Sequence, residues 1–193
     1  MEINFSRPGH GMLDIESTVT ALSDKAASIR FKQAAERLLN VTKWHTLPCS
    51  LLPALRLTDE AGHNIERQAR QNDYLVFNSF EGREGDWVKV EKLQFETNQD
   101  DSIESVEMCA RPSRSPIEEL IHYEDSYSPS NTIKVFRKGL NVTVAVHGHH
   151  EQGDVPGSLH DLESGDSRPS AALPGIARVQ WRSLVNCILS TWK

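Results

Sequence analysis

The sequence predicts an α+β fold, a curved antiparallel β-sheet of about six to seven strands with an N-terminal helix and a C-terminal helix packed on it. Three observations support this: a β-hairpin at residues 131–148, an amphipathic helical pattern after a first strand, and a stronger helical pattern at the C-terminus. Consecutive strands between two helices are typical of this fold class. From 193 residues we expect one domain, with residues 1–12 as a loose leader and residues 151–174 as a flexible loop.

The hairpin is predicted from two β-rich runs that are separated only by Gly139 and Leu140. A glycine at the first loop position favours a type II′ turn, which fixes the pairing of the strands. On one face Arg137 is expected opposite Val142, Val135 opposite Val144, and Ile133 opposite Val146. On the reverse face the expected pairs are Phe136 with Thr143, Lys134 with Ala145, and Thr132 with His147. The first face is predicted to be core and the second amphipathic.

The N-terminal part is predicted to hold a strand at residues 13–21 and then a helix. Ser23 or Asp24 can cap this helix, which should end near Asn40. Its apolar residues recur at helical spacing and form a single stripe: Ala27, Phe31, Ala34, Ala35 and Leu38. We therefore expect the helix to pack this stripe against the sheet.

The middle of the chain is predicted to supply the remaining strands, at residues 55–58, 74–77, 86–95, 102–110 and 120–123. A switch of apolar parity predicts a β-bulge near Lys92. Two prolines within residues 111–116 should end the strand before them. Residues 64–71 are polar and ambiguous, and a return strand is one interpretation.

The last element is predicted to be a helix with the most regular apolar pattern in the chain. Its stripe consists of Trp181, Leu184, Val185, Ile188, Leu189 and Trp192. Two tryptophans need a broad partner surface, and the sheet is the expected one. In an alternative interpretation this stripe is presented to a second subunit and forms a homodimer.

Composition excludes some classes of partner. The net charge of −6 and the absence of long Lys/Arg clusters argue against nucleic acid and anionic membrane as partners. Neither a signal peptide nor a membrane-spanning run is recognisable, which predicts a cytoplasmic protein. Cys49, Cys109 and Cys187 are odd in number and have no metal-type spacing, so we expect reduced thiols buried as small hydrophobic side chains.

The order of elements resembles the helix-grip arrangement of the START-like or polyketide-cyclase-like superfamily. The residues that carry the resemblance are the strand at 13–21, the helix after it, and Trp44 and His45. The resemblance implies a curved sheet that grips a C-terminal helix around an apolar cavity. Some two dozen residues separate the last strand from the last helix here, which departs from the family pattern. The strand at 86–91 and the hairpin also resemble bacterial proteins of unassigned function.

A histidine cluster at residues 147–151 is one candidate site. In an extended strand His147 and His149 project to the same side, and imidazole suits zinc, iron or manganese. Glu151 is the expected third ligand, with Asp154, His160 or His122 as alternatives. The structural alternative is the polar end of a hairpin, so no cofactor is assigned.

A second candidate site is the amphipathic face of the hairpin, where Thr132, Lys134, Phe136, Thr143 and His147 would line a pocket. Trp44 is a further candidate at the mouth of the expected cavity, although a tryptophan there more often caps the core. No nucleophile motif is present, so no catalytic residue is assigned.

The sequence therefore favours noncatalytic binding of a small apolar or amphipathic ligand in a sheet cavity. Two alternatives remain open. One is a metal-dependent enzyme that uses His147 and His149. The other is a protein-interaction module that dimerises through its C-terminal helix. Whether any reaction is catalysed is not decided by the residues.

Overall fold

The computed structural model describes residues 13–77, 86–98, 102–117, 130–149 and 176–190. Seven strands and two α-helices occur in these ranges, with a 3-10 helix at Val41–Thr46 after the first helix. In chain order the elements are β1 Asp14–Thr20, α1 Asp24–Leu39, β2 Leu55–Thr58, β3 Tyr74–Phe77, β4 Asp86–Thr97, β5 Ile103–Ser113, β6 Ser130–Lys138, β7 Asn141–His149 and α2 Arg178–Leu189. The predicted α+β class and its order of elements are confirmed.

The strands form one open antiparallel sheet in the order β1-β7-β6-β5-β4-β3-β2. Every predicted pair across the hairpin is confirmed, from Arg137 opposite Val142 to Thr132 opposite His147. Gly139 has a φ of +59°, which matches the first position of a type II′ turn. The β4–β5 register shifts between Val90 and Lys92, so the predicted bulge is confirmed.

Helix α1 begins where predicted, because the Ser23 hydroxyl accepts a hydrogen bond from the amide of Ala26 at 3.2 Å. The predicted apolar stripe of α1 is buried against β6 and β7. Asn40 ends the helix and its side-chain amide donates to the carbonyl of Glu36 at 2.8 Å. We call the sheet face that α1 and α2 cover the inner face, and the reverse face the outer face.

Helix α2 packs on β1 and β7 of its own chain. Trp181, Leu184, Val185, Ile188 and Leu189 are all buried there, and Trp192 lies outside the described residues. The guanidinium of Arg37 donates to the carbonyl of Ile188 at 2.9 Å and to that of Ser190, so a side chain of α1 caps the end of α2. This part of the stripe is covered within the chain, and a homodimer stays a prediction.

One strand end in the middle of the chain was predicted wrongly, and the structure decides the ambiguous residues 64–71. Strand β5 continues through Pro112 to Ser113. Its pairing with β6 ends at Ala110, so within the described ranges the missing N–H of Pro112 faces no partner strand on that side. Residues 64–71 form no strand, and only Asn64 makes an isolated bridge, to Thr58.

Two of the three cysteines were also predicted wrongly. Cys49 and Cys187 form a disulfide between residues that are 138 positions apart in the sequence, with their Cα atoms 5.6 Å apart. Cys109 is a free, half-buried thiol, and burial raises its pKa. Reduced thiols would have supported a cytoplasmic location, and the disulfide removes that support. A cytoplasmic location therefore stays a prediction. Within the described ranges no helix is long and apolar enough to cross a membrane.

Several predictions lie outside the described residues. They are the loose leader at residues 1–12, the strand at 120–123 and the flexible loop at 151–174. The elements that are described share one hydrophobic core between the inner face of the sheet and the two helices.

Arg137 holds an ion-pair network on the inner face, which no sequence pattern predicted. Its side chain is 2% exposed, and its guanidinium contacts the carboxylates of Glu104 and Asp24, the former at 2.6 Å. Its Nε atom donates to the carbonyl of Gly139 at 3.0 Å. A buried arginine is tolerated only when its charge and its donors are satisfied in this way. The network joins β6 to β5 and to the first turn of α1.

Two fully buried tryptophans give a matched test of hydrogen bonding in the core. The indole N–H of Trp44 donates to the carbonyls of Arg37 and Leu38 at 3.0 and 3.2 Å, which belong to the last turn of α1. The indole N–H of Trp181 has no partner among the described residues. We expect Trp44→Phe to lower the free energy of unfolding by about 1–3 kcal/mol more than Trp181→Phe, because only the former leaves buried carbonyls unsatisfied. Urea unfolding of both variants measures the difference, and equal losses would contradict this assignment.

Candidate ligand-binding site

The hairpin residues predicted to bind a ligand share the outer face of the sheet. They are Thr132, Lys134, Phe136, Thr143 and His147. The ammonium of Lys134 lies 3.0 Å from a carboxylate oxygen of Glu107, and Nδ1 of His147 lies 2.8 Å from a carboxylate oxygen of Asp14. Lys134 and His147 therefore have partners within the chain, and the role of this face in binding stays a prediction.

Trp44 lies beneath the surface and not at the mouth of a cavity. It is fully buried, and its indole N–H is held by the end of α1 as described above. The 3-10 helix Val41–Thr46 is anchored through Trp44 and Val41, which is also fully buried. Contact between Trp44 and a ligand stays a prediction.

The predicted metal cluster is only partly within the described residues. His147 pairs with Asp14, while Glu151, His122, Asp154 and His160 lie outside the described ranges. Within those ranges no group of three or more His, Cys, Asp or Glu side chains could hold a metal ion. A metal site at His147, His149 and Glu151 stays a prediction.

A groove of ≈ 600 Å³ lies at the β2 edge of the sheet, the edge opposite β1. Its walls come from three segments: the end of α1 with the 3-10 helix, strand β2, and the irregular chain at residues 64–67. The lining residues are Asn40, Thr42, Lys43, Leu55, Arg56, Leu57, Asn64, Ile65, Glu66 and Arg67. The sequence did not predict this site.

Local structure explains how polar and apolar residues meet in this groove. In β2 the alternation of a strand buries Leu55 and Leu57 and exposes Arg56 between them. The half-buried Ile65 is placed beside β2, because its amide donates to the carbonyl of Leu57 at 2.9 Å. The groove is thus lined mainly by polar groups, with Ile65 as its half-buried apolar side chain.

The segment at residues 64–67 is held by a buried ion pair. The carboxylate of Asp73, whose side chain is 6% exposed, receives two hydrogen bonds from the guanidinium of Arg67 at 2.6 and 2.8 Å. It also accepts the amide of Arg70 at 2.7 Å. Hydrogen bonding to Asp73 raises the pKa of Arg67, so this charge is already committed within the chain.

Two smaller hollows adjoin the groove. One of ≈ 250 Å³ shares Asn40 and Lys43 with it, so Lys43 stands between the two spaces. The other, of ≈ 410 Å³, shares Arg67 and is lined further by Leu93 and Phe95. Phe95 is 62% exposed, which adds an accessible apolar ring near this edge.

The chain has only weak similarity to known proteins. No protein-family model matches the sequence, and no curated protein matches it. Among solved structures, Ara h 8.0201 matches with a TM-score of 0.40 and 11% identity over 92% of this chain and 95% of its own. A protein from Nitrosospira multiformis matches with a TM-score of 0.40 and 10% identity over 91% and 93%. A ginseng major latex-like protein 151 from Panax ginseng matches with a TM-score of 0.36 and 10% identity over 92% of each chain.

These likenesses are weak, with TM-scores below 0.5 and identities of 10–11%. The helix-grip arrangement follows from the chain itself, in which one strand and one helix precede six antiparallel strands and a C-terminal helix that packs on the sheet. What the chain binds has to be argued from its own residues.

Proposed function

We propose that this chain is a noncatalytic binding module for a small amphipathic molecule, and that the molecule binds in the groove at the β2 edge. The observation that carries this proposal is the groove itself. Its volume of ≈ 600 Å³ lies within the range of small-molecule sites, roughly 300–1,000 Å³. The half-buried Ile65 offers apolar contact, and the polar residues around it can orient a ligand.

The groove is a better candidate than the outer face of the hairpin because fewer of its charged side chains are paired with other described residues. On the outer face Lys134 and His147 already have carboxylate partners. In the groove, Lys43 forms no ion pair with any carboxylate of the described residues, and the contact of Arg56 among them is a long one of 3.4 Å to the amide oxygen of Asn64. Charged groups without close partners in this part of the chain are available to a ligand.

A tryptophan placed in each candidate site distinguishes them. Thr42 lines the groove and Thr132 lies on the outer face, and both are half-buried. Hits from a ligand-detected NMR screen of small amphipathic molecules should bind Thr42→Trp at least tenfold more weakly, because the indole fills the groove. Thr132→Trp should bind within about twofold of the wild type.

The control for this experiment is Thr42→Val, which keeps the shape of the side chain and should retain binding. Urea unfolding of each variant checks that the fold is intact. Loss of binding in Thr132→Trp, with binding retained in Thr42→Trp, would contradict the groove and support the hairpin face.

A further inference from the structure

We infer that the groove selects ligands that carry an acidic group, and that Lys43 and Arg56 hold this group. The inference rests on the proposed function, since it names the chemical class of ligand for the same site. A neutral molecule of the same shape should therefore bind more weakly than the acid.

The charge of the groove differs in sign from that of the whole chain, which carries a net charge of −6. The groove is lined by three cations, Lys43, Arg56 and Arg67, and by a single carboxylate, that of Glu66. Because Arg67 is paired with Asp73, the lining keeps an excess of one positive charge, from Lys43 and Arg56 against Glu66. Excess positive charge in a concave site concentrates ligands of negative charge, so this groove favours an anion over a neutral ligand.

The three cations differ in how far they are paired among the described residues. Arg67 is committed to Asp73 through two hydrogen bonds. The ammonium of Lys43 has no hydrogen-bond or ion-pair partner in that part of the chain, and it can donate three hydrogen bonds. Arg56 makes one long contact there, from Nη1 to Asn64, and its other donors have no partner in the described ranges, so they can meet a planar acid.

The two cations lie on different elements. Lys43 stands on the 3-10 helix and Arg56 on β2, so they approach the groove from two walls. Leu55 and Leu57 flank Arg56 along the strand, but they lie on its opposite face and are buried, so they offer almost no surface to a ligand. The half-buried Ile65 is the apolar side chain of the lining that the rest of an acid held between Lys43 and Arg56 would contact. The site therefore fits an organic acid with a compact apolar body better than a bare inorganic anion.

Carboxylates and phosphonates or phosphates share the required chemistry, and three related probes separate them from neutral molecules. Phenylacetate carries a carboxylate, benzylphosphonate carries a phosphonate, and phenylacetamide is the neutral counterpart of phenylacetate. Each is titrated into ¹⁵N-labelled protein at low ionic strength, and the backbone amide shifts of Lys43, Arg56 and Ile65 are followed. We expect at least one of the acids to bind tenfold or more tightly than phenylacetamide, and whichever acid binds more tightly identifies the preferred head group.

A pair of double variants tests the two named cations. Lys43→Gln with Arg56→Gln should weaken binding of the acid at least tenfold and leave phenylacetamide unchanged. Lys32→Gln with Lys92→Gln removes the same net charge from exposed positions away from the groove lining, and it should change the affinity for the acid by less than about twofold.

The outcomes separate this inference from the proposed function. Equal binding of phenylacetate, benzylphosphonate and phenylacetamide in the groove would overturn selection of acids and leave the groove as a binding site. An equal loss in the two double variants would also overturn it, because the overall charge would then explain the effect. If no probe shifts the amides of the groove, the inference fails. If Thr42→Trp also binds the hits of the screen as tightly as the wild type does, the groove itself is rejected.

Discussion

Replacing Arg137 by alanine should lower the free energy of unfolding by about 3–5 kcal/mol. The reason is the carboxylate of Glu104, whose side chain is 11% exposed and would lose its charged partner at 2.6 Å. An uncompensated charge in a low-dielectric interior is expensive, and the truncated side chain also leaves a cavity on the inner face. Asp24, which is 74% exposed, can turn to water and contributes less. Urea unfolding measures the loss.

Three further variants show whether the charge is the cause. Arg137→Met combined with Glu104→Leu removes both charges and keeps apolar volume, so it should recover most of the stability that Arg137→Met loses alone. Lys134→Met breaks the ion pair with Glu107 on the outer face, where both side chains are about one-third exposed, and should cost only about 0–1 kcal/mol. Similar losses from Arg137→Met and Lys134→Met would contradict the role of burial.

Replacing Asp73 by alanine should have the second largest effect, a loss of about 2–3 kcal/mol in the free energy of unfolding. Its buried carboxylate accepts two hydrogen bonds from Arg67 and one from the amide of Arg70. The loss is smaller than at Arg137 because the side chain of Arg67 is 32% exposed and can be partly hydrated. Thermal or urea unfolding checks the value.

The same variant should also weaken ligand binding, because Arg67 is part of the groove wall that Asp73 holds in place. Asp59→Ala is the matched control, since Asp59 accepts the amides of Ala61 and His63 in an exposed turn and does not line the groove. It should leave ligand affinity unchanged. A loss of affinity in Asp59→Ala equal to that in Asp73→Ala would show that the groove wall does not depend on the Asp73 pair.

The hairpin could be predicted in full because its information is local. Gly139 and Leu140 fix the turn, and the period of two then fixes each pair. The same alternation put Arg137 on the core face, but its partners could not be found from sequence. Glu104 and Asp24 lie 33 and 113 residues away along the chain, and only the folded sheet brings them together.

The groove and the disulfide were missed for the same reason. The groove is assembled from three segments, and the one at residues 64–67 has no periodic pattern to predict its course. In the sequence nothing distinguishes Arg67 from a surface cation, because its ion pair with Asp73 forms only in the folded chain. Cys49 and Cys187 meet only because α2 returns to the chain that follows the 3-10 helix, where the hydroxyl of Ser183 accepts the amide of Leu51 at 3.0 Å.

The most direct test of the proposed function is a map of backbone amide shifts in the wild-type protein with a ligand from the NMR screen. Binding in the groove predicts that the largest shifts fall at residues 40–43, 55–57 and 64–67, the three segments that form its walls. If the largest shifts fall instead at residues 132–136 and 143–147 on the outer face of the hairpin, the ligand binds there and the groove is not the site.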